Sequence, residues 1–289
     1  MIEKSNVDLS KYATFHVGGI AQRMVIPENE DELRKIINEL VYMGEHIYVL
    51  SGGSNLLIND KKIFKTVIYM KNIDNRIIQL TEGRFYVGAS NRIQKVITEL
   101  NQLGYGGFEE FIGLPAMIGG MIYMNAGIGS ENNSRFTMSD FVERVRAFDL
   151  ETKDYIWLLN KDCEFSHRKS VFQTGKYIIV GCEIRLSRQD MEKSRERIAA
   201  RKDYCRRNME YGKGCFGTCF SRCSGKLVKL NALATKFKKM NVQQGRIKAN
   251  WLVNYGDGTF DEAMTIIENC ERLHKMFGKM ISREVQIWE

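Results

Sequence analysis

Two glycine-rich segments constrain the fold of this chain more strongly than any other feature. The first, residues 51–55 with the sequence Ser-Gly-Gly-Ser-Asn, directly follows an apolar run at residues 46–50 that predicts a buried strand. The second extends over residues 113–127. Glycine lets the backbone approach a phosphate group or another backbone closely. Each segment alone fits a tight turn as well as a ligand cradle, and together they favour an extended diphosphate cofactor.

The pattern of strands and helices predicts an α+β protein. Amphipathic helices are expected at residues 29–41 and 92–103, and a hairpin at residues 142–159. A long strand is expected at residues 177–186. Near the end of the chain, Thr259 and Glu262 have the spacing of a capping box before a helix, and residues 281–288 predict a terminal strand. Asn29 and Glu32 have the same spacing in front of the first helix.

Composition excludes several classes of protein. The 289 residues are 44% hydrophobic and 27% charged, which is typical of a globular chain. No apolar run approaches the ~18–20 residues of a membrane span, so no membrane partner is expected. The first residues lack the apolar stretch of a secretory signal, and seven cysteines are an odd number. These features predict a cytoplasmic protein.

Basic residues account for the net charge of +8 and concentrate in one predicted helix, residues 191–207. Acidic residues are interspersed among them, so a solvated helix that joins two domains is the favoured interpretation. Nucleic-acid binding would require a denser basic face with interleaved aromatic residues, so no nucleic-acid partner is expected.

Two further motifs leave alternatives open. Arg168, within residues 165–170 (Phe-Ser-His-Arg-Lys-Ser), fits either a surface basic patch or an arginine directed at a carboxylate. Cys215, Cys219 and Cys223 recur every four residues, whereas zinc and iron–sulfur sites normally use a two-residue gap. No metal site is therefore expected, and these cysteines are interpreted as small buried apolar residues or as thiols near a redox site.

In their order along the chain, these motifs resemble those of the UDP-N-acetylenolpyruvoylglucosamine reductases, also called UDP-N-acetylmuramate dehydrogenases. The resemblance covers both glycine-rich segments and the Arg168 motif. It also covers residues 12–19 (Tyr-Ala-Thr-Phe-His-Val-Gly-Gly), 217–220 (Gly-Thr-Cys-Phe) and 282–285 (Ser-Arg-Glu-Val). The length of the chain is similar to that of the shorter subclass, which lacks an extra tyrosine-bearing substrate loop.

This resemblance implies a two-lobed FAD-binding module of the vanillyl-alcohol-oxidase/PCMH type, followed by a smaller α+β substrate domain. The expected boundaries are residues 1–70 and 71–195 for the two FAD-binding lobes and 196–289 for the substrate domain. The implied reaction is NADPH-driven, FAD-dependent reduction of UDP-N-acetylglucosamine enolpyruvate to UDP-N-acetylmuramate in peptidoglycan precursor synthesis. A monomer with a small nucleotide-sugar substrate is expected.

The resemblance also assigns roles to individual residues. Arg168 would stabilise the charge that develops on the enolpyruvyl carboxylate, and Glu284 would orient that group or support proton delivery. Thr218 would donate the proton, with Cys219 as the rival donor. Arg222 and Lys248 would bind substrate. The residues expected to contact FAD are Ser51, Gly52, Gly53, Ser54, Asn55, Gly113, Ala116, Gly119, Gly120, Ala126 and Gly127.

Departures from the family pattern concentrate in the substrate half. The family usually has serine where this chain has Thr218, a Lys-Asn pair at Ser221-Arg222, and often histidine at Lys248. The chain therefore fits a divergent cell-wall enzyme, and two alternatives stay open. One is an FAD-dependent paralogue that acts on another nucleotide sugar or related metabolite. The other is a non-catalytic protein that binds flavin or a nucleotide sugar.

Overall fold

The computed structural model describes residues 1–130, 133–210, 212–236 and 238–289. These residues form two compact units that alternate along the chain. The first unit comprises Met1–Ser5, Arg23–Gly52 and Lys65–Tyr204, and the second comprises Asn6–Gln22, Gly53–Phe64 and Cys205–Glu289. The predicted domain boundaries, in contrast, divide the chain into three contiguous ranges. The cofactor and substrate roles expected of these ranges stay predictions.

Helices and strands alternate irregularly along the chain. The helices are α1 (Glu30–Tyr42), α2 (Ile93–Gln102), α3 (Ile118–Tyr123), α4 (Met191–Asn208), α5 (Gly225–Lys236) and α6 (Phe260–Met276). The strands are β1 (Ile2–Asp8), β2 (Ile20–Ile26), β3 (Tyr48–Leu50), β4 (Leu56–Ile58), β5 (Ile63–Tyr69), β6 (Ile77–Thr81), β7 (Arg84–Gly88), β8 (Tyr105–Gly106), β9 (Gly127–Ser130), β10 (Asn133–Thr137), β11 (Val142–Asp149), β12 (Asp154–Leu159), β13 (Tyr177–Arg185), β14 (Ser187–Arg188), β15 (Gly214–Thr218), β16 (Phe220–Arg222), β17 (Val242–Gln244), β18 (Trp251–Asn254), β19 (Ser282–Arg283) and β20 (Gln286–Trp288).

The first unit is built around a five-stranded sheet with the order β12-β11-β13-β7-β6, in which neighbouring strands are antiparallel. The apolar faces of α1 and α2 are buried in the same core as this sheet. In α2 the buried positions Ile93, Val96, Ile97 and Leu100 follow the helical period, which explains why the sequence predicts this helix. A second sheet has the order β1-β2-β5-β3, with β3 parallel to β5.

The second unit has a separate apolar core. Its central sheet has the order β15-β18-β17, and α6 contributes Ile266 and Ile267 to the core. Two strand pairs, β16 with β19 and β20 with β4, complete this unit. The second pair is parallel and joins residues that are far apart in sequence.

The structure corrects the predicted terminal strand. Residues 281–288 form two short strands because the chain changes partner: β19 pairs with β16, whereas β20 pairs with β4. At the break, the Glu284 and Val285 amides both donate to the Cys219 carbonyl oxygen, at 2.8 and 3.4 Å. A pattern of alternating residues carries no information on such a change of partner.

Each predicted capping box is half formed. Asn29 accepts from the Glu32 amide at 2.9 Å, and Thr259 accepts from the Glu262 amide at 3.2 Å, as expected. The reciprocal bonds are absent, because the Glu32 carboxylate accepts from the Glu28 amide and the Glu262 carboxylate from the Val242 amide. The predicted boxes were therefore right for the cap residue and wrong for its acidic partner.

Within the described ranges, no helix is long and apolar enough to cross a bilayer. The same residues hold no group of three or more histidine, cysteine or acidic side chains that is arranged to bind a metal ion.

A buried carboxylate in the first unit gives the fold a testable pH dependence. Burial raises the pKa of Asp74, but hydrogen bonds from Arg76 and Tyr86 outweigh it and hold that pKa below its ordinary value of 3.8. Because the pKa is lower in the folded than in the unfolded chain, the ionised group stabilises the fold above the ordinary value. This stabilisation is lost as the pH falls through the folded-state pKa.

Asp74→Asn is therefore expected to lower the free energy of unfolding at neutral pH and to flatten its decline below about pH 4. Urea unfolding of the wild type and the variant at a series of pH values measures the free energy of unfolding of each. Wild-type and variant curves that run parallel through the acidic range would show that Asp74 does not stabilise the fold through its charge.

Candidate active site

The loop at residues 51–55 has the backbone features of a phosphate cradle. Among the hydrogen bonds of the described residues, none uses the amide N–H groups of Gly52, Gly53 or Ser54. Unpaired amides in an irregular turn are suitable donors to a phosphate oxygen. Gly53 has a φ of +63° and its carbonyl oxygen accepts from the Thr14 amide at 3.0 Å. The residues present therefore fit the diphosphate of the predicted cofactor.

Gly53→Ala is expected to destabilise the protein and to reduce its FAD content. A non-glycine residue in the left-handed conformation costs about 1–2 kcal/mol. At Gly53 an added Cβ would also overlap the Tyr12 carbonyl oxygen, so this turn must shift. The matched control is Gly44→Ala, since Gly44 also has a φ of +63° but nothing lies within 4 Å of the added Cβ. Thermal unfolding and the flavin absorbance of the purified proteins compare the two.

Equal losses of stability and FAD in the two variants would show that the backbone conformation alone matters at Gly53. A larger loss at Gly53 supports the cradle.

The second glycine-rich segment lies in the first unit, with Ser51 and Gly52. It contains a 3₁₀ turn at Glu109–Gly113 and then α3, where the Gly119 amide donates to the Ala89 carbonyl oxygen at 3.0 Å. A Cβ on Gly119 would lie 3.2 Å from the Ala89 Cβ, so close packing alone favours a small residue there. At Gly120 the nearest atom to an added Cβ is Ser51 Oγ, at 3.6 Å.

The end of this segment is in direct contact with Arg168. Its Nη2 donates to the Gly127 carbonyl oxygen at 2.9 Å, and a Cβ on Gly127 would lie 3.0 Å from Arg168 Nη1. Arg168 is half-buried and has a φ of +59°. The guanidinium is thus held against the glycine-rich segment of the same unit. That Arg168 is directed at a carboxylate stays a prediction.

The second unit brings Thr218, Glu284 and Asn55 onto one hydrogen-bonded scaffold. Asn55 Nδ2 donates to the Glu284 carbonyl oxygen at 3.0 Å, and the Gln286 amide donates to the Asn55 carbonyl oxygen at 3.0 Å. The Glu284 amide in turn donates to the carbonyl oxygen of Cys219, the residue after Thr218. The Asn55 side chain and the Glu284 backbone therefore link the predicted cofactor loop to the turn at Thr218.

Thr218 and Cys219 have different environments, although they are adjacent. Thr218 is half-buried at the end of β15, and no hydrogen bond of a described residue uses its hydroxyl group. Cys219 is 2% exposed within the apolar core of the second unit. Burial raises the pKa of its thiol well above the ordinary value of 9.0. Thr218 is thus the more accessible of the two rival donors, and its role as proton donor stays a prediction.

The two predicted substrate-binding residues lie in the second unit. Arg222 is exposed on β16, with Nη1 3.9 Å from Met280 Sδ. The Lys248 ammonium lies 5.2 Å from the centre of the Trp251 ring, within cation–π range. Cys215 and Cys223 are half-buried free thiols, and burial raises the pKa of both.

Asn250 is a residue of this site that the sequence analysis missed. Its side chain donates to the Phe220 carbonyl oxygen at 2.8 Å and accepts from the Phe220 amide at 3.1 Å. Its own carbonyl oxygen accepts from the Cys219 amide at 2.7 Å. Asn250 therefore fixes the turn that follows Thr218. A single asparagine in a loop gives no sequence signal for such a role.

Comparison with known proteins places this geometry in context. Residues 21–153 match the model of the FAD binding domain family. The UDP-N-acetylenolpyruvoylglucosamine reductase of Caldanaerobacter subterraneus subsp. tengcongensis is 27% identical over 98% of this chain and 92% of its own length. That of Bacillus subtilis is 26% identical over 93% of this chain and 88% of its own length. The predicted resemblance to this family is confirmed.

A solved structure supports the fold independently. The crystal structure of the UDP-N-acetylenolpyruvylglucosamine reductase from Thermus caldophilus superimposes with a TM-score of 0.77 at 23% identity, and all of both chains is covered. This likeness and the family match confirm the predicted α+β fold with an FAD-binding module.

Proposed function

We propose that this chain is an FAD-dependent oxidoreductase that uses NADPH to reduce UDP-N-acetylglucosamine enolpyruvate to UDP-N-acetylmuramate in peptidoglycan precursor synthesis. The observation that carries the proposal is the set of hydrogen bonds from the Asn55 side chain through the Glu284 backbone to the Thr218–Cys219 turn. It connects a loop suited to a diphosphate with a hydroxyl and a carboxylate suited to proton delivery. Similarity to enzymes of this name along 98% of the chain supports the assignment.

FAD would be held by backbone groups of the two glycine-rich segments. These groups are at Ser51, Gly52, Gly53, Ser54, Asn55, Gly113, Ala116, Gly119, Gly120, Ala126 and Gly127. When bound, FAD supplies hydride transfer from its N5 atom. The protein itself contributes binding, orientation and electrostatics. The 1–70 and 71–195 ranges would form the cofactor lobes, and 196–289 the substrate domain.

The protein side chains would stabilise the charge that develops on the substrate and would supply its proton. Arg168 would donate hydrogen bonds to the enolpyruvyl carboxylate, whose negative charge grows as hydride reaches C3. Glu284 would orient the same group. Thr218 would give its hydroxyl proton to C2, which completes the lactyl ether.

The positive charges of Arg222 and Lys248 would contribute to binding the diphosphate of the nucleotide sugar. We place the protein in the cytoplasm as a monomer. Free thiols at Cys163, Cys182, Cys205, Cys215, Cys219, Cys223 and Cys270 suit a reducing compartment.

The proposal is tested by following NADPH oxidation by the purified flavoprotein with and without UDP-N-acetylglucosamine enolpyruvate. Oxidation that depends on this compound, together with formation of UDP-N-acetylmuramate detected by mass spectrometry, is the expected result. FAD that is reduced by NADPH but is not reoxidised by this compound would instead favour the paralogue that acts on another nucleotide sugar. The residues Thr218, Arg222 and Lys248 would then mark the altered pocket.

A further inference from the structure

The backbone at Arg168 is in an unusual conformation that neighbouring residues must maintain. Ser166 and Lys169 exchange two backbone hydrogen bonds, each of 3.1 Å, and so enclose His167 and Arg168 in a tight turn. Arg168 has a φ of +59°, a conformation that a long side chain rarely adopts. Such a conformation persists only where the surroundings determine it strongly, and it is typical of functional sites.

Asn125 connects this turn to the glycine-rich segment. Asn125 is buried, with 3% of the residue exposed, and its Nδ2 donates to the Ser166 carbonyl oxygen at 3.0 Å. Its Oδ1 accepts from the Ser139 amide, also at 3.0 Å. Asn125 itself has a φ of +39°, which asparagine tolerates better than most residues. The next residues along the chain, Ala126 and Gly127, are predicted contacts of FAD.

Gln173 holds the same turn from its other side. Its Nε2 donates to the Arg168 carbonyl oxygen at 2.9 Å and to the Tyr123 carbonyl oxygen at 3.0 Å. Ser170 Oγ also donates to the Tyr123 carbonyl oxygen, at 2.7 Å. The Asn125 side chain thus binds the backbone before Arg168, at Ser166. The Gln173 side chain joins the carbonyl oxygen of Arg168 itself to that of Tyr123.

We propose that Asn125 and Gln173 are positioning residues that act through Arg168: they fix its backbone conformation relative to the segment that would contact FAD. The inference rests on the proposed function, in which Arg168 meets the substrate carboxylate. A misplacement of about 1 Å at a reacting group can cost about 10²-fold in rate. Loss of either amide donor should therefore slow substrate reduction without affecting reduction of the flavin by NADPH.

The test uses the nearly isosteric changes Asn125→Asp and Gln173→Glu, each of which removes the donor and keeps the shape. Each is expected to slow reoxidation of the reduced enzyme by UDP-N-acetylglucosamine enolpyruvate by about 10–100-fold. FAD content and the rate of flavin reduction should be unchanged. The matched control is Asn160→Asp, because Asn160 donates to the Ser139 and Val142 carbonyl oxygens of the same unit and not to the Arg168 turn. It should be reoxidised at the wild-type rate.

A double variant separates positioning from a general structural role. If Asn125 acts through Arg168, then Asn125→Asp should add little to the defect of Arg168→Lys, whereas independent effects would multiply. A defect in the double variant that equals the product of the two single defects would overturn this inference and leave the proposed function standing. Wild-type rates in both single variants would do the same. If one single variant fails to fold, the other decides by the same comparison. A wild-type enzyme that this compound cannot reoxidise would overturn the proposed function, and the inference with it.

Discussion

Arg168→Lys is expected to slow the reoxidation of reduced enzyme by substrate by about 10²–10³-fold, while FAD content stays at the wild-type level. Lysine keeps the positive charge but loses the planar group that can bind both oxygens of a carboxylate. It also loses the Nη2 hydrogen bond to the Gly127 carbonyl oxygen, which holds the guanidinium in place. Removal of one such transition-state contact costs about 2.7–4 kcal/mol. Stopped-flow absorbance of the flavin measures the rate directly.

The control for this variant is Arg34→Lys. Arg34 is a half-buried arginine of the same unit that donates to the Lys153 carbonyl oxygen and to Asp154, so it tests the general cost of the exchange. It should turn over at the wild-type rate. Equal rates for wild type and Arg168→Lys would show that Arg168 does not meet the substrate.

Thr218→Val is expected to block the substrate half-reaction and to leave reduction of the flavin by NADPH intact. Valine has nearly the same shape, but a methyl group replaces the hydroxyl proton donor. General acid catalysis contributes about 10²–10⁴-fold, and the loss should lie in that range. Thr218→Ser should preserve or raise the activity because it keeps the hydroxyl group and removes the β-branch. Rapid mixing of reduced enzyme with substrate measures both variants.

Two further variants make the assignment to Thr218 specific. Thr98→Val, on the exposed face of α2, removes a hydroxyl that among the described residues bonds only to the Gln94 carbonyl oxygen. This change should be without effect on either half-reaction. Cys219→Ala should lower stability through the small cavity that it leaves in the core, with the substrate half-reaction retained. A blocked substrate half-reaction in Cys219→Ala, together with normal activity in Thr218→Val, would transfer the donor role to Cys219.

The sequence predicted those elements whose formation depends on local pattern. The helix α2 shows a clear apolar period, and the hairpin of β11 and β12 has alternating residues on both sides of a polar turn. The predicted strand at 281–288 was wrong as a single element, because its two halves pair with different strands. That choice depends on contacts between distant parts of the chain, which no local pattern encodes.

The sequence was sufficient to predict candidate residues of the site, but not the backbone conformations and hydrogen bonds that hold them in place. The motifs identified Arg168, Thr218 and Glu284 as candidates, but nothing in them indicates the left-handed backbone at Arg168. The same holds for Asn125 and Asn250, whose side chains bond to carbonyl and amide groups of residues distant in sequence. Each of these roles arises from tertiary placement, so a single sequence gives no signal for it.

The central claim is that reduced flavin in this protein delivers its electrons to the enolpyruvyl ether of UDP-N-acetylglucosamine. The most direct measurement is to reduce the enzyme with NADPH without oxygen, add that compound, and record the flavin absorbance. The account predicts rapid return of the oxidised spectrum in proportion to the compound added, with UDP-N-acetylmuramate formed in equal amount. A flavin that stays reduced in the presence of excess compound would contradict it.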